Sequence, residues 1–249
     1  ENGHSLQADY LIGADGAWSV VRRSLNIEFE GFTYPERFLV VSTAFEYADH
    51  LPRLSYVNYC SDPNEWCVLL RVPTLWRVLF PTKAEESDEA VLSDESVQAR
   101  LQNLLPQQQA YVTQHRTLYK VHQRVAQRFR HGRVVLAGDA AHINNPLGGM
   151  GMNGGVHDAF ALAEAIAGIL EGNDERMLDR YSRSRKMIAQ EQILQQAHRN
   201  RTRMQERDPA ARRAELARLQ AICADPAQSR MFLLKSSMIE GLRQAQAMQ

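Results

Sequence analysis

The sequence predicts a mixed α/β chain, with part of a parallel-sheet domain, an antiparallel β-sheet set into it, and helices at the carboxyl-terminal end. Three observations carry this reading. Val134–Ala137 is an uninterrupted apolar run too short for a helix, and Leu6–Ala14 reads as a second strand; they run into Asp139 and Asp15 respectively, which suits parallel strands ending at a loop. The segment between them alternates strand formers with turn formers. Beyond Gly172 the apolar residues return to helical spacing.

Glu1-Asn2-Gly3 reads as a hairpin turn from which Leu6–Ala14 returns. Phe38–Phe45 is rich in β-branched and apolar residues, and Leu54–Tyr59, Trp66–Val72 and Trp76–Pro81 follow as strands. Ser61-Asp-Pro-Asn64 is the clearest turn, so the strands on either side of it should form a hairpin. A short helix is expected over Ser93–Leu105, capped by Ser93 or Asp94 and ended by Pro106. Arg116–Val125 reads as one more strand. Val156, Phe160, Ala163, Ile166, Ala167 and Leu170 then repeat at three- and four-residue steps until Gly172-Asn173, the pattern of a helix with an apolar face. A polar helix is expected from Leu178 to Met204, and Asp208-Pro209 and Asp225-Pro226 open two more with proline at the favoured first position. On this reading residues 1–33 and 126–172 build one domain, residues 34–125 the antiparallel sheet, and residues 173–249 the terminal helices, which are a candidate homodimer contact.

Composition narrows the function. The 249 residues carry 29 Lys and Arg against 29 Asp and Glu, so nothing draws the chain to nucleic acid, and the basic stretches Arg183–Lys186 and Arg199–Arg203 read as solvated helix faces. Cys60, Cys67 and Cys223 lack metal or redox spacing, which suits reduced thiols in a cytoplasmic protein, although Cys60 and Cys67 could lie on paired strands. No apolar run is long enough for a membrane span. No Ser-His-Asp set, zinc spacing or pair of carboxylates offers protein-based catalysis.

The chemistry concentrates in Arg133–Asn153. Asp139 stands at the carboxyl end of a strand, where α/β sheets bind ligands and a carboxylate can accept bonds from sugar-like hydroxyls. Gly148, Gly149, Gly151, Gly154 and Gly155 let backbone approach a flat ligand closely. The helix that follows presents free amides near Met152 and Asn153, with a partial positive charge of about half a unit. A reduced flavin, negative along its pyrimidine edge, fits such an end.

This segment resembles the GD motif of the FAD-dependent aromatic hydroxylases, the para-hydroxybenzoate hydroxylase-like flavoprotein monooxygenases. Ala8–Arg23 resembles the same family's DG motif, and together the likeness runs from about Leu6 to about Arg185. The resemblance implies a partial FAD- and NAD(P)-binding Rossmann-like domain and an antiparallel substrate sheet that roofs the flavin. It implies that Asp139 binds ribityl or ribose hydroxyls of FAD, and that Gly149, Gly151, Met152 and Asn153 surround the flavin pyrimidine. Pro146 would lie near flavin C4a, its carbonyl a candidate acceptor where activated oxygen meets the substrate. Asp15, Gly16, Ser19 and Arg22 match the DG pattern that the family associates with the cofactor diphosphate and with nicotinamide use. Met150 departs from the glutamine often found there.

The function implied is hydroxylation of an aromatic or similarly electron-rich small molecule with NADH or NADPH and O2. No Gly-x-Gly-x-x-Gly opens a strand-to-helix turn near the start, although such a turn holds the ADP diphosphate in this family. The sequence is therefore expected to be the carboxyl-terminal portion of a larger enzyme, binding FAD poorly by itself. The alternatives are a non-catalytic binding or assembly module and a flavin-dependent halogenase, whose tryptophan-rich signature Leu75–Pro81 does not show. Arg71, His115 and His122 are candidate substrate contacts. His142 is read as a structural hydrogen-bonding residue, and His157 and Asp158 are placed in the first turn of the flavin helix, with Asp158 complementing its dipole.

Overall fold

The computed structural model describes residues 3–248; the expected turn at Glu1 and Asn2 lies outside them. In chain order the elements are β1 (Leu11–Gly13), α1 (Val20–Ser24), β2 (Phe29–Thr43), β3 (Val57–Cys60), β4 (Cys67–Arg71), β5 (Trp76–Pro81), α2 (Asp88–Leu92), α3 (Asp94–Leu104), β6 (Thr113–Ala126), β7 (Arg130–His131), β8 (Val134–Leu136), β9 (His142–Ile143) and α4 (Met150–Leu170). Five further helices follow: α5 (Arg176–Ile188), α6 (Gln195–Gln205), α7 (Pro209–Ala224), α8 (Pro226–Ser236) and α9 (Ile239–Ala247), with a π-helical turn at Ala189–Leu194. The mixed α/β class is as expected. One sheet has the order β1-β8-β7, the other β3-β4-β5-β2-β6-β9.

The chain divides into two compact units, one of residues 1–32, 122–200 and 216–249, the other of residues 33–121 and 201–215. In the first, β1 and β8 are parallel, with Ile12 opposite Val135. Behind them lies a core that includes Phe129, Val135, Leu136, Leu162, Leu178 and Tyr181. Tyr181 donates its hydroxyl to the Leu136 carbonyl at 2.8 Å, so the apolar contact is also hydrogen-bonded. Gly31 shows how tightly β2 meets β6: with φ near 137°, its added Cβ would sit 2.0 Å from the Gln123 carbonyl oxygen.

In the second unit Asp62 caps the β3–β4 turn, accepting the amides of Asn64 at 2.8 Å and Glu65 at 3.3 Å. The hairpin register sets Cys60 opposite Cys67. One face of this sheet buries Leu39, Val41, Leu69, Val78 and Phe80 against Val91, Val97 and Leu101 of α2 and α3. Ser93 caps α3 by accepting from the Ser96 amide. Arg100, nearly buried, reaches Glu86 at 3.0 Å and also pairs with Glu65.

Several boundaries differ from expectation. The first strand is only Leu11–Gly13, because the polar residues before it make no ladder. In contrast, β2 begins at Phe29 rather than Phe38, its polar first half lying beside the 14-residue β6 and beyond the reach of the six-residue β5. The helix expected to continue to Met204 widens into the π-helical turn, and Ile193 there packs so closely that a Cβ on Gly154 would lie 2.6 Å from its Cδ1.

The largest correction concerns α4. Its existence is as expected, but its buried face is Met150, Gly154, Asp158, Leu162, Ala165 and Gly168. Most of the apolar stripe read from the sequence stays outside, with Phe160 69% exposed and Val156, Ala163, Ala167 and Leu170 also exposed, while Ile166 packs half-buried on the core. This helix is apolar around most of its circumference, so periodicity alone cannot choose a face; the partners of Asp158 do. Among the described residues no helix is long and apolar enough to cross a membrane.

Leu69→Ala, which empties a fully buried site, is expected to cost about 2–5 kcal/mol and lower the thermal midpoint by at least about 4 °C. Leu216→Ala, on an exposed position of α7, should move it by less than about 2 °C. Equal shifts in a melting experiment would contradict this packing.

Candidate cofactor site

The parallel pairing of β1 with β8 brings the two sequence motifs to one sheet edge, because both strands end there. Ala137 donates its amide to the Gly13 carbonyl at 3.0 Å, the last bond before the chains diverge. Asp15 and Asp139 stand just beyond, and both are exposed.

The turn after β8 depends on Gly138, whose φ is about +61°, a conformation that side chains other than glycine adopt at a cost. It starts a 3-10 turn, Gly138–Ala140, closed by the Ala141 amide on the Gly138 carbonyl at 2.8 Å. Helix α4 crosses close behind it: a Cβ on Gly155 would lie 3.2 Å from the Gly138 Cα. The loop Asn144–Gly149 is then tied internally. Asn145 accepts the Leu147 amide at 3.1 Å, Asn144 donates to the Asn145 carbonyl at 2.7 Å, and Gly149 donates to the Pro146 carbonyl at 3.1 Å. Pro146 is exposed, and its carbonyl keeps a second lone pair.

At the start of α4 the preceding Gly149 is left-handed, and no side chain caps the helix. The first-turn amides therefore retain the capacity that a capping side chain would have taken. Asn153 donates to the Gly149 carbonyl at 2.8 Å from an exposed position, Met152 projects outward, and Gly151 lies against Asn144, whose Oδ1 would be 2.9 Å from an added Cβ.

The first motif is built by local bonds. Asp15 accepts the amides of Val20 at 2.7 Å and Val21 at 3.1 Å, capping α1. Partial burial pushes the Asp15 carboxyl up, but the Ser19 hydroxyl and these amides prevail and hold it below its ordinary value. Gly16 is left-handed and has nothing within 4 Å of an added Cβ. Arg22 is 4% exposed and joins the motifs: it donates at 2.8 Å to both the Ala140 and the Ala17 carbonyls, and its guanidinium lies 3.8 Å above the Phe29 ring. Its charge acts inside the protein, across the two loops.

Asp158 is the residue that sequence reasoning misplaced. It is not in the first turn of α4 but in the third, fully buried. Its Oδ2 accepts from the Gly138 amide at 3.0 Å and His142 Nε2 at 2.8 Å, and its Oδ1 from Arg185 Nε at 2.6 Å. Burial pushes this carboxyl up, yet the His142 bond and the Arg185 charge outweigh it and hold the group below the usual range. It therefore pairs with specific donors, not with the helix dipole. His142 does make the structural bond expected of it, and its ring stacks on Phe129. His157 also lies beyond the first turn, and burial, then Arg185, pushes its imidazole pKa down.

The candidate substrate contacts fare differently. Arg71 forms an ion pair with Glu46 at 2.9 Å and lies 5.5 Å from the Trp76 ring centroid, so it is held by its own sheet face. His115 bonds Thr117 at 2.7 Å in an exposed position. Arg77, not singled out from the sequence, is exposed on the opposite face, opposite Ser42 in one neighbouring strand and Leu70 in the other. Strand alternation could have found it once the register was fixed.

These features fit a flat, anionic, hydroxyl-bearing cofactor. The carboxylate of Asp139 is exposed, the α4 amides are uncapped, and Gly149 and Gly16 leave open space where side chains would intrude.

Residues 1–197 match the family described as FAD binding domain. The chain is 38% identical to para-nitrophenol 4-monooxygenase of Pseudomonas sp. strain WBC-3 over 248 residues, which are 96% of this chain and 60% of that protein. It is 37% identical over 191 residues to 6-hydroxy-3-succinoylpyridine 3-monooxygenase of Pseudomonas putida strain S16, covering 74% of this chain and 47% of that one. The crystal structure of p-nitrophenol 4-monooxygenase from Pseudomonas putida DLL-E4 superimposes with a TM-score of 0.83 at 37% identity, over 94% of this chain and 59% of that one. The chain thus spans about 60% or less of the length of these relatives. With the two motifs at one sheet edge and this match across most of its length, the chain belongs to the FAD-binding domain family, among the FAD-dependent aromatic hydroxylases.

Proposed function

We propose that this chain forms the flavin-holding and substrate-facing part of an FAD-dependent monooxygenase that hydroxylates an aromatic compound with NADH or NADPH and O2. The observation that carries the reading is the exposed Asp139 beside the uncapped amino end of α4. When bound, FAD supplies the chemistry: it takes two electrons from the nicotinamide and activates dioxygen so that one oxygen atom enters the ring. The protein binds, orients and excludes water.

Asp139 accepts hydrogen bonds from cofactor hydroxyls, and the amides of Gly151, Met152 and Asn153 stabilise negative charge on the flavin pyrimidine. Gly149 keeps the approach to them clear. Asp15 and Gly16 shape the diphosphate side, and Arg22 holds their loop to the second motif through Ala17 and Ala140. Pro146 lends the free lone pair of its carbonyl near C4a. Arg77 is available to an anionic substituent such as a phenolate. The names of the relatives make para-nitrophenol the first substrate to test. Exposed Leu216, Met231 and Leu233 on α7 and α8 make these helices the candidate homodimer surface, and a cytoplasmic location accords with three unpaired cysteines.

The full-length gene product is expected to purify with flavin absorbance and to oxidise NADH or NADPH faster when a para-substituted phenol and oxygen are both present. Absence of flavin after reconstitution would refute the cofactor reading; flavin binding without phenol-stimulated turnover would leave a non-catalytic binding module. In the same protein Asp139→Asn should weaken FAD binding by about tenfold or more, since a hydrogen bond to a charged group contributes about 1.5–3 kcal/mol. Unchanged affinity by fluorescence titration would remove Asp139 from the site.

A further inference from the structure

We propose that Asp158 is a positioning residue for the cofactor: with His142 and Arg185 it fixes the turn that presents Asp139. The proposal rests on the reading that Asp139 meets the flavin cofactor, and extends it to residues that touch no ligand.

Three observations support it. First, Asp158 is fully buried, so its charge must be satisfied by protein donors, and the three it has come from two parts of the chain: the Gly138 amide and His142 at the two ends of the turn after β8, and Arg185 of α5. Second, one of those donors is the backbone amide immediately before Asp139, at the left-handed Gly138 where the chain turns away from β8. Together with Arg22 on the Ala140 carbonyl and the His142 ring at the far end, the turn is held at three points within five residues. Asp139 itself remains exposed for a ligand. Third, Arg185 also donates to the Gly154 carbonyl at 3.2 Å, so the same ion pair grips α4 one turn before Asp158. Both halves of the candidate site, the carboxylate and the helix end, are thereby referred to one anchor.

Stability alone is a poor reason for such an arrangement, because a buried ion pair often gives no advantage over well-packed apolar residues. Preorganisation is a better one. A loop already held in its binding geometry need not lose conformational freedom when the ligand arrives.

The test is a double-mutant cycle on FAD affinity in the full-length gene product, at a temperature well below the midpoint of every variant. Asp158→Asn is expected to weaken binding tenfold or more. Because it acts through Asp139, the Asp139→Asn/Asp158→Asn protein should bind no worse than the weaker single variant within about twofold. Hydrogen exchange at the Gly138 amide should be slow in the cofactor-free parent and at least tenfold faster in Asp158→Asn. Unchanged affinity in Asp158→Asn, or losses that multiply in the double variant, would overturn the proposal and show a merely structural role. Should Asp158→Asn not fold, His142→Gln, which leaves the Arg185 pair in place, goes through the same cycle with the same expected coupling, and multiplying losses there count equally against it. Failure of the unsubstituted protein to bind FAD would instead sink the cofactor reading and this proposal with it.

Discussion

A carboxylate shut away from water must be satisfied by the protein around it, and in this chain the burial of Asp158 organises the first unit. Its partners decide which face of α4 turns inward, against the pull of an equally apolar stripe on the other side. Small residues accommodate that choice: Gly154 and Gly155 let Ile193 and the Gly138 turn come within contact distance. Packing, electrostatics and loop conformation are therefore one problem, solved at a single side chain.

The functional consequence follows from the sheet. Parallel neighbours end at the same edge, so β1 and β8 deliver two loops from distant parts of the sequence to one place. Arg22 then bonds a carbonyl in each loop and stacks on Phe29, which keeps the motifs together without using either aspartate. Asp15 spends its acceptor capacity on α1, whereas Asp139 remains outward. Two motif aspartates that look alike in the sequence thus have different physical roles, one shaping its own loop and one available to a ligand.

Much of this was legible from residue order. The Val134 strand, the β3–β4 hairpin, the Ser93 cap and the Pro209 and Pro226 helix starts each rest on local chemistry, and each forms. The buried pairing of Asp158, the buried face of α4 and the pairing of Arg71 were not legible, because each is decided by a partner far along the chain. Asp158 looks like a dipole-complementing acid until Arg185, 27 residues later, is placed beside it. Arg71 looks free until Glu46 arrives from another segment. The π-helical turn is invisible for the same reason, since only the approach of Ile193 to Gly154 reveals how closely the widened turn packs on α4.

The central claim is that the loop after β8 and the amino end of α4 form the flavin cradle. The most direct measurement is a titration of isotope-labelled full-length protein with FAD, followed at the backbone amide resonances. The account predicts that Asp139, Gly149, Gly151, Met152 and Asn153 shift most, together with Gly16 in the first motif. Saturable flavin binding that leaves these amides unmoved, with the shifts clustered elsewhere, would contradict it.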